Sequence, residues 1–375
     1  MNVLRLTYVP TKTEAKQKNA IISHGLFLTH LIPLSQKLQK LGVTTEFYSA
    51  GKKIIKNERF DNFPVHRTLL PQRPFFLPYG FAFKQLLKKS SNAQEIDLVH
   101  AHNPAYAYYF GLNRRALNKK PLFITWHGFF PYKEHKNPRV DSFLLKKLAK
   151  FAYFIPINEP SVKQLKELGV PKKRMRLITT GVDASVFKEI KLKKEYFLFV
   201  GRLVDWKNVS TIVQAFAILL AKNPKEKLLI IGSGKEKEML AKITQELGIE
   251  KNISFIGSID LKKMPKIYSK AKALVVPHLY DSFGKTVIEA SACGVPVITT
   301  DDDIPKDFEP HLNLIPTKQA KNKKLLAKEM EKIIKKPSEQ NKKAQRAKEI
   351  AITNYTWDCS VKEMKEFYLD ALKTK

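Results

Sequence analysis

Cysteine is nearly missing from these 375 residues, occurring only as Cys293 and Cys359. Two thiols exclude a disulfide framework and point to a reducing compartment. No stretch approaches the ~18 consecutive apolar residues that a membrane-spanning helix needs. The chain opens on Val3, Leu4 and Leu6 around Arg5, a strand-like start without the charged-then-apolar layout of a secretory leader. These absences lead to the expectation of a cytoplasmic chain, soluble or peripheral at the inner face of the cell membrane. Internal repeats, low-complexity tracts and His/Cys pairs at zinc spacing are missing too, so neither a metal nor a cofactor is expected.

Acidic residues are scarce as well: 35 Asp and Glu stand against 67 Lys and Arg, a formal net charge of +32. Up to position 180 the count is 31 basic against 10 acidic, so an excess of 21 lies in the first half. A nucleic-acid binder, a protein lying on anionic lipid, and a lysine-rich composition without specific purpose all fit such a charge. The lysines are scattered over many helix faces rather than gathered in one block, which counts against nucleic acid. Arg73-Pro-Phe-Phe-Leu-Pro-Tyr-Gly-Phe-Ala-Phe-Lys84, followed by Lys88 and Lys89, mixes aromatics with cations. It suits an anionic membrane surface and equally a core-facing segment with a basic helix behind it.

What is present is a folded chain's composition, with 43% hydrophobic and 10% aromatic residues, long enough for two cores. Short β-like runs alternate with amphipathic stretches from end to end. Val3–Tyr8, Thr44–Ser49, Asp97–His102, Leu122–Thr125, Phe154–Asn158 and Met175–Thr179 read as strands in the first half. Tyr196–Val200, Lys227–Ile231, Ile253–Ile256, Ala273–Val276 and Val295–Thr299 do so in the second. Leu31, Leu34, Leu38 and Leu41 form one helix face ended by Gly42, and Val209, Ile212, Val213, Phe216 and Leu220 another. This βαβ grammar, run twice, predicts two doubly wound parallel-sheet α/β domains. The expected division is 1–183, a polar linker over 184–195, a second domain over 196–357, and a terminal helix over 358–375 docking back on the first. Lys318–Lys348 reads as helical surface.

The densest chemical signal is Asp281-Ser-Phe-Gly-Lys-Thr-Val-Ile-Glu289, between two apolar strands. One acid follows a strand, and the second lies eight positions later on the helix released by Gly284. That spacing puts two carboxylates around one pocket at the carboxyl end of a strand, where open α/β sheets bind ligands. Glu289 stands among Val287, Ile288, Ala290 and Ala292, and a carboxylate so placed needs a partner, such as a ligand hydroxyl pair. Gly201-Arg202 ends another strand, with Lys207 near the start of the next helix, where a cation is unfavourable unless an anion binds beside it. Both cations fit a diphosphate; both fit solvated surface as well. Gly232-Ser-Gly234 and Phe255-Ile256-Gly257 are weaker signals, explained equally by tight turns and packing. His127, followed by Gly128 at a strand end, is the strongest histidine. His100 and His102 share one strand face, and which way that face looks is not readable from sequence. Asp301-Asp-Asp303 reads as an acidic loop rather than a metal site.

In this order, these residues resemble the retaining glycosyltransferases of the GT-B fold, family 4. The likeness runs over nearly the whole chain and is densest from Tyr196 to Thr300. It rests on Phe199-Val-Gly-Arg202 with Lys207, Ile231-Gly-Ser-Gly234, Phe255-Ile-Gly257, Asp281 through Glu289-Ala, and Gly294-Val-Pro-Val297. Asp97-Leu-Val-His-Ala-His102, Thr125-Trp-His-Gly128 and Thr180-Gly-Val-Asp183 add to it. The resemblance implies two Rossmann-like domains facing a central cleft, and transfer of a sugar from a nucleoside diphosphate, UDP ahead of GDP, to a glycan or lipid-linked hydroxyl.

It further implies a role for each matching residue. Arg202 and Lys207 would hold the diphosphate and Glu289 the ribose. Asp281, Phe283 and Gly284 would hold the donor sugar, while His127 would lie near the reacting centre. Gly25, Gly201, Gly232, Gly234, Ile256 and Lys285 would line the donor site. Three features depart from the family pattern: Asp281 where glutamate is usual, Leu26 where a second glycine is usual, and the acidic loop after Thr300. Each bears on donor choice. Rival readings are a sugar-nucleotide epimerase, a non-catalytic subunit of the same fold and, more distantly, a basic nucleic-acid-binding protein. If the basic first half serves a lipid-linked acceptor, the protein should co-sediment with vesicles containing anionic lipid at low salt and not with neutral ones.

Overall fold

In the computed structural model, the described residues are 1–6, 31–51, 58–69, 95–102, 107, 120–127, 145–279, 284–301 and 304–373. Gly25, Asp281, Phe283 and the aromatic-basic segment from Arg73 to Lys89 lie outside them. The chain divides into two compact units, Met1–Thr179 with Ser360–Lys375, and Thr180–Cys359.

The first unit is built on strands β1 (Asn2–Leu6), β2 (Thr44–Gly51), β3 (Glu58–Phe60), β4 (Phe63–Leu69), β5 (Leu98–Ala101), β6 (Leu122–Trp126) and β7 (Tyr153–Pro156). Their order is β3-β4-β2-β1-β5-β6-β7, parallel except where β3 pairs with β4. Two of these strands escaped the sequence reading. The short hairpin β3–β4 turns at Asp61, whose φ of 51° suits a tight two-residue loop, and Pro64 disguises β4. Conversely, Met175–Thr179 is not a full strand. It makes one bridge, Met175 to Phe154, and then runs beside β7 through bonds from Arg176 and Ile178. Helix α1 (Ile32–Lys40) buries Leu34 and Leu38 and ends in paired bonds from Gly42 to Gln39 and from Val43 to Leu38.

One face of this sheet carries Leu4, Leu6, Val99 and Ala101 in an apolar core. The face of the alternate residues is partly polar. Arg5 is fully buried; its guanidinium donates to His100 Nδ1 (3.1 Å), His102 Nε2 (2.8 Å) and the Tyr368 hydroxyl (3.4 Å). His100 Nε2 lies 2.8 Å from Thr125 Oγ1. Tyr368 belongs to the terminal helix Trp357–Lys373, whose Phe367 and Tyr368 also pack edge-on against Phe123. Among the described residues no carboxylate pairs with Arg5, so hydrogen bonds to neutral acceptors carry the buried cation. Both histidines are thereby located in the interior, holding the terminal helix to the sheet.

The second unit contains β8 (Tyr196–Val200), β9 (Leu228–Ile231), β10 (Ile253–Ile256), β11 (Ala271–Val276), β12 (Val297–Thr300) and β13 (Asn313–Ile315). All pairs are parallel, in the order β10-β9-β8-β11-β12-β13. Phe197, Leu198 and Phe199 are buried on both faces of β8, as an apolar run in a covered parallel sheet should be. The three-residue β13 was too short to stand out in the sequence. The stretch Lys318–Lys348, read as helical surface, falls in the helices Lys323–Lys335 and Pro337–Asn354, divided at Lys336–Pro337.

Asn208 fastens this unit. It caps helix α2 (Val209–Leu220) from the left-handed region and is buried. Its Nδ2 donates to the carbonyls of Pro277 (3.0 Å) and Ala320 (2.8 Å), and its Oδ1 accepts from Thr211 Oγ1 (2.6 Å). Removing it leaves two buried carbonyls without donors, so Asn208→Ala should destabilise this unit by about 2–4 kcal/mol in urea unfolding.

Candidate functional site

Strands β8 and β11 are neighbours, yet the chain leaves β8 toward β9 on one side and approaches β12 on the other. A parallel sheet of order 3-2-1-4-5-6 opens a crevice at this reversal, beyond the carboxyl ends of the two central strands. The residues following β8 are Gly201 and Arg202, and those following β11 are Pro277 and His278.

Two loops beside the crevice lie backbone on backbone. Gly201 N donates to Ile231 O, Leu203 N to Ser233 O, and Gly232 N to Ile256 O. A Cβ at Gly232, whose φ is +136°, would collide with the Gly201 carbonyl, and one at Gly234 with the Leu203 carbonyl. The Gly-x-Gly pattern is thus required by close approach of the β8 and β9 loops. Ile256 ends the edge strand β10, with β9 between it and β8, and its side chain is exposed.

Arg202 is exposed and stands over the Trp206 ring, 5.2 Å from its centroid. Lys207 closes a 3-10 turn, Asp205–Lys207, and its Nζ is 3.5 Å from Nε2 of buried His278. Around that contact the two crevice walls are stitched together. Asn208 Nδ2 binds the Pro277 carbonyl, and Leu279 N donates to Trp206 O (2.9 Å). His278 was missed in the sequence; its signal is a polar residue directly after an apolar strand and Pro277.

Of the other wall, Gly284 takes a left-handed φ of 59° and releases the helix Lys285–Ala292. Glu289, one turn in, is buried. The Tyr268 hydroxyl donates to its Oε2 at 2.9 Å, and Lys285 Nζ lies 3.8 Å from its Oε1. Burial pushes the Glu289 carboxyl above its ordinary value, against the pull of Lys285 and Tyr268. The partner that a buried acid needs is therefore present within the chain, and Tyr268 was also missed. Asp301 accepts from the backbone and hydroxyl of Thr317 (2.8 and 2.7 Å), as an ordinary loop acid does. Among the described residues, no cluster of three His, Cys, Asp or Glu is arranged to hold a metal, and no helix is long and apolar enough to cross a membrane.

His127 belongs to the first unit and follows β6. Part of the residue reaches solvent, but Nε2 is buried and has no hydrogen-bond partner among the described residues. Desolvation pushes its pKa down to about 4.

Residues 183–351 match the family described as glycosyl transferases group 1, and residues 29–186 the one described as glycosyltransferase family 4. The N-acetyl-alpha-D-glucosaminyl L-malate synthase of Bacillus anthracis is 23% identical over 282 residues, 71% of this chain and 73% of that one. Sucrose-phosphate synthase of Thermosynechococcus elongatus shares the fold over 100% of both chains, with a TM-score of 0.77 and 20% identity. So does HepE of Anabaena, solved with UDP and glucose, over 98% of both chains (TM-score 0.73, 17% identity). The two sheets described above are thus those of the GT-B fold.

A histidine whose folded pKa lies below its unfolded value binds its proton less readily when folded. Its contribution to stability is complete above about pH 6.5 and is lost as pH falls toward 4. The His127 ring should accordingly stay neutral at pH 5 in an NMR titration, with a midpoint near 4.

Proposed function

We infer that this chain, which belongs to the retaining glycosyltransferases of family 4 (group 1), moves a hexose from a nucleoside diphosphate sugar to an acceptor hydroxyl. The observation that supports the reading is that Arg202 and Lys207 follow β8, while buried Glu289 lies on the helix after β11, the strand beside it. Cleaving the glycosyl–phosphate bond builds negative charge on the departing diphosphate. Fixed cations in a site that excludes water stabilise that charge without reorganising, and they serve in place of a divalent ion. Arg202 offers a fork suited to phosphate oxygens, and Lys207 a point charge anchored by its turn. Glu289 accepts from the ribose hydroxyls, while Asp281, Phe283 and Gly284 hold the sugar.

Gly201, Gly232 and Gly234 keep the loops low enough for the diphosphate to approach, and Ile256 and Lys285 border the donor. The family likeness assigns His127 to the sugar and Gly25 to the phosphates. The departing phosphate oxygen takes the acceptor's proton on the face it leaves, which keeps the anomeric configuration. UDP is placed ahead of GDP as carrier; the Anabaena protein of the same fold was solved with UDP. The acceptor is a glycan or lipid-linked hydroxyl, the latter favoured by the excess of cations.

A thermal-shift screen against UDP, GDP, ADP and their sugars should reveal one stabilising carrier, since a ligand of the folded state raises its stability by mass action. With that donor, Lys207→Ala and Arg202→Ala should each lower turnover on the order of 10²-fold. Near-normal turnover in both would refute the site.

A further inference from the structure

We propose that Tyr268 is a positioning residue of the donor site, orienting the Glu289 carboxylate so that it discriminates ribose from 2′-deoxyribose. The inference rests on the reading of Glu289 as the ribose acceptor and names how the fold supports it.

The geometry is specific. Tyr268 lies on the helix Met264–Lys270, which runs directly into β11, while Glu289 lies on the helix that follows β11. The two side chains therefore meet from helices at opposite ends of one central strand. Tyr268 is 0% exposed and Glu289 5%, and the hydroxyl–Oε2 distance is 2.9 Å. The Tyr268 ring is itself held, with Phe187 at 6.2 Å between centroids. A carboxylate on a flexible two-carbon stem has several rotamers, and a rigid phenol donating to one oxygen selects among them. Lys285 constrains the second oxygen loosely, at 3.8 Å.

A phenol also lacks the drawback a cation would have here. It donates one proton and brings no charge, so it satisfies one lone pair of Oε2 and leaves the carboxylate's acceptor capacity and charge available. An arginine at this point would occupy both oxygens. Burial holds the Tyr268 hydroxyl far above its ordinary value, which keeps it a donor. A bidentate acceptor fixed in this way fits a vicinal diol. A nucleotide lacking the 2′-hydroxyl would forfeit one of the two hydrogen bonds to the buried carboxylate, and sites built on such bonds reject the analogue.

The test compares uridine, guanosine and adenosine diphosphates, each with its 2′-deoxy analogue, by calorimetric titration of the full chain. The variants are Glu289→Gln, Tyr268→Phe and the double substitution, with thermal unfolding as a check that each is folded. Tyr268→Phe is isosteric and should weaken the preferred ribonucleotide on the order of tenfold while changing its deoxy analogue less than about twofold. In the Glu289→Gln background the same change should do nothing further, since its effect passes through that carboxylate. An equal loss for both sugars, or no loss, in Tyr268→Phe while Glu289→Gln abolishes the preference would overturn the role of Tyr268 alone. A preference that survives Glu289→Gln, or no binding of any of the three pairs, would overturn the ribose assignment along with it.

Discussion

The second unit is organised by a reversal of winding between β8 and β11. Two parallel strands share a ladder, yet the connections from their carboxyl ends diverge to opposite sides. The glycine loops after β8 and β9, the turn bearing Lys207, and the stretch from Pro277 to Leu279 gather at that reversal. Asn208 to Pro277 and Leu279 to Trp206 hold the two walls at a set distance. Lys207 is thus presented by backbone geometry rather than by a flexible stem alone.

Both units place charged groups in their interiors, with different solutions. Arg5 is accommodated by two histidines and a tyrosine, a network of neutral acceptors that also ties the terminal helix to the first sheet. Glu289 is accommodated by a phenol and, more loosely, a lysine. In each case neutral hydrogen-bonding groups limit the desolvation cost of the buried charge. For Arg5 the described residues show anchorage of the terminal helix.

Much of this was legible beforehand, because doubly wound sheets write themselves locally. Phe197–Phe199 and Leu274–Val276 are continuous apolar runs, and the stripe on Val209–Leu220 has the helix period, so two parallel sheets followed directly. The strands that escaped notice were those with little local signal: β3 with three residues, β4 interrupted by Pro64, and β13 again with three. Met175–Thr179 had the composition of a strand but lay past the point where the sheet's edge could hold it for more than one bridge. Lys318–Lys348 read as helical surface, and the structure divides it at Pro337 into two helices.

The order of motifs along the chain determined the family and the fold, and with them the candidate cations and the acid, since spacing between strand ends and helix starts is a property of sequence. What only the tertiary structure decided was company. Tyr268 and Glu289 are twenty-one positions apart, and Lys207 and His278 seventy-one. Such pairs are set by strand order, which brings β8 against β11 across more than seventy residues of chain. Local propensity carries no record of that neighbour, because the interactions that choose it form only when the sheet closes.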